Sequence, residues 1–232
     1  MYKIGMFDSG IGGLNVLEEV KNLIPNENII YYQDSSNNPY GEKTDEELWD
    51  IVSNIVDYLK NQGVKEIIVA CNTATTRCIK RLREVYSDLI FIGTEPAIKV
   101  ATDNNYKNII LLGTPGTINS DRLHELVDKN KHDENIYLIE CSGLANAIEN
   151  HNQEEIIKLL HEYLDSYRDK NIDSVVLGCT HYGFIKNEIL EILGDVKLID
   201  GNLGVARQAK KMLEENNLLD GTSPGKIEII EK

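Results

Sequence analysis

Two cysteines stand in matching surroundings within the chain. One segment reads Ile68-Val69-Ala70-Cys71-Asn72-Thr73 and the other Val176-Leu177-Gly178-Cys179-Thr180-His181. A cysteine that ends an apolar strand is usually inert filler, but polar residues that begin a helix favour the thiolate. The shared pattern therefore predicts that Cys71 and Cys179 form a facing pair of reactive thiols.

Two opposed thiols can invert a carbon centre without a cofactor. One thiolate removes a proton from one face of the carbon, and the partner thiol delivers a proton to the opposite face. A free cysteine titrates near about 8.5, so a modest downward pKa shift would supply the base at neutral pH. Asp8 and His181 are candidates to tune the two thiols, although His181 could also be an ordinary hydrogen-bonded residue at the sheet edge.

The remaining cysteines and histidines lack such a context. We interpret Cys78 as core filler on a helix and Cys141 as a structural residue after a strand. The sequence has no CxxC pair and no histidine at zinc-ligand spacing from a cysteine, so we expect free thiols and no metal site. Surface positions are expected for the other histidines, which are His124, His132, His151 and His161.

A glycine-rich turn follows the first predicted strand, in Asp8-Ser9-Gly10-Ile11-Gly12-Gly13-Leu14. Such a turn can bring backbone close to a ligand, and the following helix start favours an anion. A dinucleotide site is a second interpretation, with Asp34 as the ribose-binding acid, but Asn15 occupies the place of the third glycine. A nucleotide-dependent α/β enzyme thus remains a remote alternative.

Apolar runs alternate with amphipathic segments along the whole chain, which predicts an α/β fold with mostly parallel sheets flanked by helices. Leu48, Ile51, Val52, Ile55, Val56 and Leu59 form one helix face, and Ile156, Ile157, Leu160, Tyr163, Leu164 and Tyr167 form another. The predicted strands are Tyr2–Phe7, Ile29–Tyr32, Ile67–Ala70, Leu89–Ile92, Ile109–Leu112, Ile136–Ile139, Val175–Leu177, Val196–Ile199 and Ile227–Ile230.

The two similar cysteine segments favour two similar lobes over one wide sheet. We expect residues 1–92 plus 202–232 to form a first lobe that carries Asp8 and Cys71, and residues 93–201 a second that carries Cys179 and His181. Ligands of open α/β sheets bind at the carboxyl ends of the strands. The active site is therefore expected at the lobe interface.

Composition limits the classes of partner. The 232 residues carry a formal net charge of −14, which repels phosphate backbones and disfavours nucleic-acid binding. The first residues do not resemble a signal peptide, and no apolar run approaches the roughly 18 residues of a membrane span. These features predict a cytoplasmic protein that binds no membrane. The segment 221–225 is expected to be a loop before the last strand.

The motifs together resemble the glutamate racemases of the aspartate/glutamate racemase superfamily, in the family's order and over nearly the whole chain. The matching segments are Phe7–Leu14, Asp34 with Pro39–Lys43, Ala70–Ala74, Glu95-Pro96, Gly113-Thr114 through Thr117-Ile118, and Leu177–Tyr182. The resemblance implies two α/β lobes that close over glutamate without cofactor or metal. It also implies a product, D-glutamate, that serves peptidoglycan synthesis, and it implies a homodimer.

The resemblance also implies roles for individual residues. Cys71 would act as the base on the D-isomer and Cys179 on the L-isomer, assisted by Asp8 and His181, with Glu149 near the His181 side. The residues implied to hold the amino acid are Ser9, Pro39, Tyr40, Gly41, Asn72, Thr73, Thr117 and Thr180.

Several positions depart from the family pattern. Residues 141–149 have an altered lead-in to Glu149, Asn37 replaces a common arginine, Gly183 replaces a proline, and the chain is shorter than typical members. These departures could change the pocket, so a racemase for aspartate or a broader range of amino acids is the nearest alternative. A non-enzymatic binding protein would keep the pocket without needing both thiols.

Overall fold

The computed structural model describes residues 3–220 and 223–232, which form two parallel sheets. The first sheet has the strand order β4-β3-β1-β2-β9. Its strands are β1 (Lys3–Asp8), β2 (Ile29–Gln33), β3 (Val64–Val69), β4 (Ile90–Gly93) and β9 (Ile227–Glu231). Tyr2, the predicted start of the first strand, and positions 221 and 222 of the predicted loop lie outside the described residues.

The second sheet has the order β6-β5-β7-β8 and contains the middle of the chain. Its strands are β5 (Asn108–Gly113), β6 (Asn135–Glu140), β7 (Ser174–Gly178) and β8 (Lys197–Ile199). All strand pairs in both sheets are parallel. The predicted fold class is confirmed, because both sheets are parallel and are flanked by helices.

Helices connect successive strands, as parallel pairing requires. They are α1 (Leu14–Leu23), α2 (Asp45–Asn61), α3 (Asn72–Val85), α4 (Ile98–Asp103), α5 (Pro115–Ile118), α6 (Asp121–Asn130), α7 (Leu144–Glu149), α8 (Gln153–Leu164), α9 (Lys186–Leu193) and α10 (Asn202–Glu215). The predicted apolar face of α8 needs correction at two positions. Ile157 is exposed, and Tyr167 lies beyond the helix in a 3-10 turn.

Helix α2 shows how local sequence sets an element. Thr44 caps it and forms a capping box with Glu47, whose side chain accepts a hydrogen bond from the Thr44 N–H at 2.9 Å. Leu48, Val52 and Leu59 are fully buried along one face, so the predicted stripe packs against the first sheet. The capping box fixes where α2 begins, and the apolar face determines which side of the helix packs against the core.

Both faces of the first sheet are buried, as expected for parallel strands. Phe7, Ile67 and Val69 pack on the side of α2 and α3. Met6 and Ile68 point to the other side, where they join the core under α1 and α10. Because both faces of the sheet are covered by apolar side chains, polar side chains collect at the carboxyl ends of the strands. No helix among the described residues is long and apolar enough to cross a membrane.

A cluster of buried charges lies at the amino-terminal end of β3. The Lys65 Nζ lies 2.6 Å from Glu27 Oε2 and donates to the Leu218 carbonyl at 2.6 Å. The neighbouring Glu66 is fully buried, and its carboxylate oxygens have no hydrogen-bond partner among residues 3–220 and 223–232. Burial and, secondarily, the charge of Glu27 raise the pKa of Glu66 from 4.5 to about 8.

This raised pKa predicts that the folded state loses stability as the pH rises from 4.5 to 8. The unfolded chain ionises Glu66 throughout that window, while the folded chain resists ionisation. We expect Glu66→Gln, which cannot ionise, to gain about 3 kcal/mol in unfolding free energy over the wild type between pH 5.5 and 8.5. Urea denaturation at several pH values measures this difference. The exposed Glu84→Gln is the control, and a pH-independent difference for Glu66→Gln would contradict the prediction.

Candidate active site

Cys71 and Cys179 line one small cavity between the two sheets. Its volume is about 10 Å³, which is about the space of one water molecule. The residues around it are Ser9, Asn38, Pro39, Tyr40, Gly41, Cys71, Asn72, Thr73, Thr114, Ala145, Cys179 and His181. The two thiols therefore reach the same space from different sheets.

Equivalent chain positions place the two cysteines. Cys71 is the N-cap of α3, two residues after β3 ends. Cys179 directly follows β7 and precedes a 3-10 helix, Thr180–Ile185. In each sheet the thiol thus stands at the carboxyl end of an interior strand, where ligands of open α/β sheets bind.

The surroundings of Cys71 favour the neutral thiol. Burial and the negative charge of Asp8 raise the pKa of Cys71 well above its ordinary value, and they outweigh the α3 backbone N–H groups of Thr73 and Ala74. The expectation of a modest downward pKa shift is therefore wrong for this thiol in the closed structure. The physical reason is that the sequence shows the helix start, but it does not show the loss of solvent.

Asp8 is fully buried beside Cys71 at the end of β1. Burial raises its pKa, against the lowering effects of His181 and of hydrogen bonds that include one with Cys71. Its Oδ2 accepts a hydrogen bond from the Thr180 hydroxyl at 2.9 Å, which reaches across from the second sheet. Asp8 therefore connects the surroundings of both thiols.

Cys179 has a different set of partners. Its Sγ lies 3.7 Å from His181 Nδ1, and His181 Nε2 lies 2.6 Å from Glu149 Oε2. Burial lowers the pKa of His181, but interactions with Cys179, Glu149 and Asp8 outweigh it and raise the pKa to about 10. Burial acts to raise the pKa of Glu149, yet hydrogen bonds from His181 and the Ile11 N–H leave it lowered. This side therefore favours an imidazolium at His181, within reach of the Cys179 sulfur.

The glycine-rich turn contacts the other sheet's residues and not an open ligand site. The Ile11 N–H donates to Glu149 Oε2 at 3.0 Å, so a side-chain carboxylate occupies the predicted anion position. A Cβ at Gly10 would lie 2.3 Å from that carboxylate, and one at Gly12 would lie 2.4 Å from the Thr180 hydroxyl oxygen. Glycine is required here for close approach between lobes.

Asp34 is also engaged within the protein. It accepts hydrogen bonds from the Tyr40 hydroxyl at 2.7 Å and from the Asn37 amide at 2.9 and 3.0 Å. Asn37, a departure from the family pattern, thus holds the carboxylate that orients Tyr40. The dinucleotide interpretation loses both of its supporting features, the anion position of the turn and the ribose-binding acid.

Three buried threonine hydroxyls meet across the interface. Thr73 Oγ1 lies 2.8 Å from Thr114 Oγ1 and 3.3 Å from Thr117 Oγ1, and Thr114 donates to Thr117 at 3.1 Å. Hydroxyls can turn to donate or accept, so this cluster can rearrange around a carboxylate. It is the polar wall of the cavity beside Cys71.

The candidate residues divide into those that face the cavity and those behind it. Thr180 lies behind Cys179 and contacts Asp8, while Glu149 acts through His181, and Thr117 through the threonine cluster. Three lining residues were not predicted: Asn38, Thr114 and Ala145. Thr114 lies in a matching segment and could have been found from it, whereas nothing in the sequence singles out Ala145.

The other cysteines belong to the core. Burial raises the pKa of Cys78 to about 11 and that of Cys141 to about 12, and both pack in apolar clusters. His124, His132 and His151 are exposed, and His161 is half-buried with its Nδ1 3.0 Å from an Asp165 oxygen. Among the described residues, no group of His, Cys, Asp or Glu side chains is arranged to hold a metal ion.

A larger cleft of about 510 Å³ lies on the outer side of Gly41. Its cationic wall includes Arg77, whose Nε donates to Asp45 at 2.7 Å, and Arg122, which lies 2.7 Å from Glu95. These pairs satisfy the arginines, and neither Cys71 nor Cys179 lines the cleft. Acid and base groups from both sheets converge instead on the small cavity.

Comparison with known proteins agrees with this arrangement. A glutamate racemase of Clostridium perfringens strain SM101 is 43% identical over 219 residues, 93% of this chain and 84% of that protein. The crystal structure of the Bacillus anthracis glutamate racemase isoform RacE1 has a TM-score of 0.88 at 29% identity, with 99% and 88% of the chains covered. That of the Francisella tularensis glutamate racemase in complex with D-glutamate has a TM-score of 0.86 at 32% identity, with 99% and 88% covered.

A family model described as Asp/Glu/Hydantoin racemase matches residues 14–209, most of the chain. The matched range contains both reactive cysteines, His181 and Glu149. The two parallel sheets, the paired thiols between them and these similarities agree: the chain belongs to the Asp/Glu/Hydantoin racemase family and is an isomerase.

Proposed function

We propose that this enzyme interconverts L- and D-glutamate by moving a proton at Cα between Cys71 and Cys179. The observation that carries the proposal is that both thiols line one cavity and come from different sheets. The curated relative that covers 93% of this chain is a glutamate racemase, and one similar solved structure holds D-glutamate. These similarities support glutamate as the substrate.

The proposed reaction has two proton transfers and no change in oxidation state. In the direction from L to D, the Cys179 thiolate takes the α-proton and the Cα–H bond breaks, which leaves a carbanion. The Cys71 thiol then donates its proton to the opposite face. In the reverse direction the two sulfurs exchange roles.

The different partners of the two thiols suit this reaction. A His181 imidazolium lies 3.7 Å from the Cys179 sulfur, while burial and Asp8 raise the pKa of Cys71 and favour its neutral thiol. The proposal therefore assigns the base of the L-to-D direction to Cys179 and the acid to Cys71.

Substrate entry requires the lobes to separate, because a cavity of about 10 Å³ cannot hold an amino acid. We propose lobes of residues 1–92 with 202–232 and of residues 93–201, with the hinge at the crossings between the sheets. After closure, Ser9, Asn72 and the threonine hydroxyls would bind the carboxylates. Closure also removes water, which strengthens the electrostatic effects on the thiols.

The wider biological assignment follows the family resemblance. We propose that the reaction needs neither cofactor nor metal, since the two thiols supply both base and acid. We further propose a cytoplasmic homodimer whose D-glutamate enters peptidoglycan precursors. A racemase that prefers aspartate or a broader set of amino acids is the alternative outcome of the tests below.

The first test follows α-proton exchange by proton NMR in deuterium oxide, with D- and L-glutamate and with aspartate in parallel. Wild-type protein is expected to exchange the α-proton of both glutamate isomers and to form the opposite enantiomer. Cys71→Ser and Cys179→Ser should each lower racemisation by at least 10³-fold, since a serine hydroxyl is a poor general base and acid near neutral pH.

Each cysteine variant should lose α-proton exchange with only one of the two glutamate isomers. Cys71→Ser is expected to retain exchange with L-glutamate through Cys179, and Cys179→Ser to retain exchange with D-glutamate through Cys71. Cys78→Ser is the matched control and should behave as wild type. Faster turnover of aspartate than of glutamate would show that aspartate is the preferred substrate. Full activity of either cysteine variant would exclude the two-thiol mechanism.

The pH dependence should report on the His181–Glu149 pair. The pKa of His181 is raised to about 10, so its imidazolium persists at neutral pH and is lost as the pH rises through 10. Glu149→Gln removes the negative charge that supports this imidazolium, so His181 should lose its proton at lower pH. We expect the alkaline limb of kcat to move down by at least about one pH unit, so that kcat at pH 10 falls about fivefold.

Initial rates by circular dichroism from pH 6 to 10.5 give this profile. The exposed Glu154→Gln, which lies nearby in the chain, is the control and should keep the wild-type profile. An unmoved alkaline limb in Glu149→Gln would show that His181 does not depend on this carboxylate.

A further inference from the structure

A chain of hydrogen bonds runs from the end of β2 across the lobe interface to Cys179. The Gln33 Nε2 donates to Ser35 Oγ at 3.0 Å, and Ser35 Oγ donates to Glu149 Oε1 at 3.1 Å. The other oxygen of Glu149 lies 2.6 Å from His181 Nε2, and His181 Nδ1 lies 3.7 Å from Cys179 Sγ. Polar groups of the first sheet thus act on a thiol that the second sheet carries.

We propose that Ser35 is a positioning residue that couples closure of the lobes to the acid–base state of His181, which lies beside Cys179. This inference rests on the proposed function and deepens it. Ser35 does not line the cavity between the thiols, so it acts through Glu149 and His181 and does not contact substrate. Its hydroxyl and the Ile11 N–H are the first-lobe donors to Glu149, one to each carboxylate oxygen.

Local structure makes Ser35 suited to this task. It begins a 3-10 helix, Ser35–Asn37, directly after Asp34, and it is half-buried. The hydrogen bond from Gln33 occupies one lone pair of its oxygen, so the hydroxyl proton is directed towards Glu149. When the lobes separate, Glu149 loses both donors from the first lobe. It keeps the hydrogen bond with His181, because both residues lie in the second lobe.

The loss of these two donors weakens the interaction between Glu149 and His181. In the closed state, three donors hold the carboxylate in one orientation and keep the pKa of Glu149 low. A carboxylate without the two first-lobe donors is free to turn towards solvent, and the imidazolium then loses its fixed partner. The protonation state of His181 is therefore set when the lobes close.

Other titratable groups face the same site and must be considered in any pH measurement. Asp8 from β1 acts on His181, and Tyr31 from β2 lies close enough to Glu149 for the carboxylate to raise the pKa of Tyr31. Besides His181, the groups that interact with Cys179 include Cys71, Cys141 and Tyr182. Ser35→Ala leaves all of these in place, so a change in the titration of His181 identifies the path through Ser35.

The test follows the His181 imidazole signal against pH by nitrogen-15 NMR of the substrate-free protein, whose structure holds the hydrogen bond between Ser35 and Glu149. With Ser35→Ala, the midpoint of the His181 signal is expected to shift by at least about half a pH unit, since Glu149 loses one of the donors that fix it. Ser35→Thr keeps a hydroxyl and should restore the wild-type profile. The control is Ser53→Ala on α2, which removes a hydroxyl bonded to the Asp50 carbonyl far from the site.

Kinetics with D- and L-glutamate provide the second readout. Ser35→Ala should lower kcat about 5- to 10-fold, with KM within twofold of wild type. An unchanged His181 titration, or an equal shift in the Ser53→Ala control, would overturn the proposal. If the wild type fails to racemise glutamate but Ser35→Ala still shifts the His181 titration, the proposed substrate is wrong and the coupling through Ser35 stands.

Discussion

The position of the Glu149 carboxylate is the constraint on which the rest of the site depends. It belongs to the short helix α7, yet it accepts hydrogen bonds from the Ile11 N–H and the Ser35 hydroxyl of the first sheet as well as from His181. A buried carboxylate costs free energy unless donors surround it. The donors come from both sheets, so the charge is stable only when the two sheets meet. The contact between the sheets and the arrangement of Glu149 and His181 therefore depend on each other.

The two thiols are equivalent in chain position but differ in electrostatics. Burial and Asp8 favour the neutral thiol at Cys71, whereas Cys179 has the His181 imidazolium 3.7 Å from its sulfur. The proposed two-base reaction needs one acid and one base at the same time, and unlike partners for the two thiols suit that need.

Small residues and rotatable hydroxyls let the interface close tightly. Side chains at Gly10 and Gly12 would collide with Glu149 and Thr180, and the hydroxyls of Thr73, Thr114 and Thr117 satisfy one another in the closed cavity. The same hydroxyls can turn to donate to a carboxylate, which suits the proposed acidic substrate.

The sequence by itself determined the parallel α/β fold, because buried strands read as apolar runs and helices as stripes, as the segment 67–70 and helix α2 illustrate. It also singled out Cys71 and Cys179, since a thiol at a strand end before a helix start is a local pattern. The tertiary structure alone decided the raised pKa of Cys71, the occupation of the glycine turn by Glu149, and the contact of Ser35 with that carboxylate. Each of these depends on which groups approach from the other sheet and on how much water they exclude, and local sequence patterns carry no information about either.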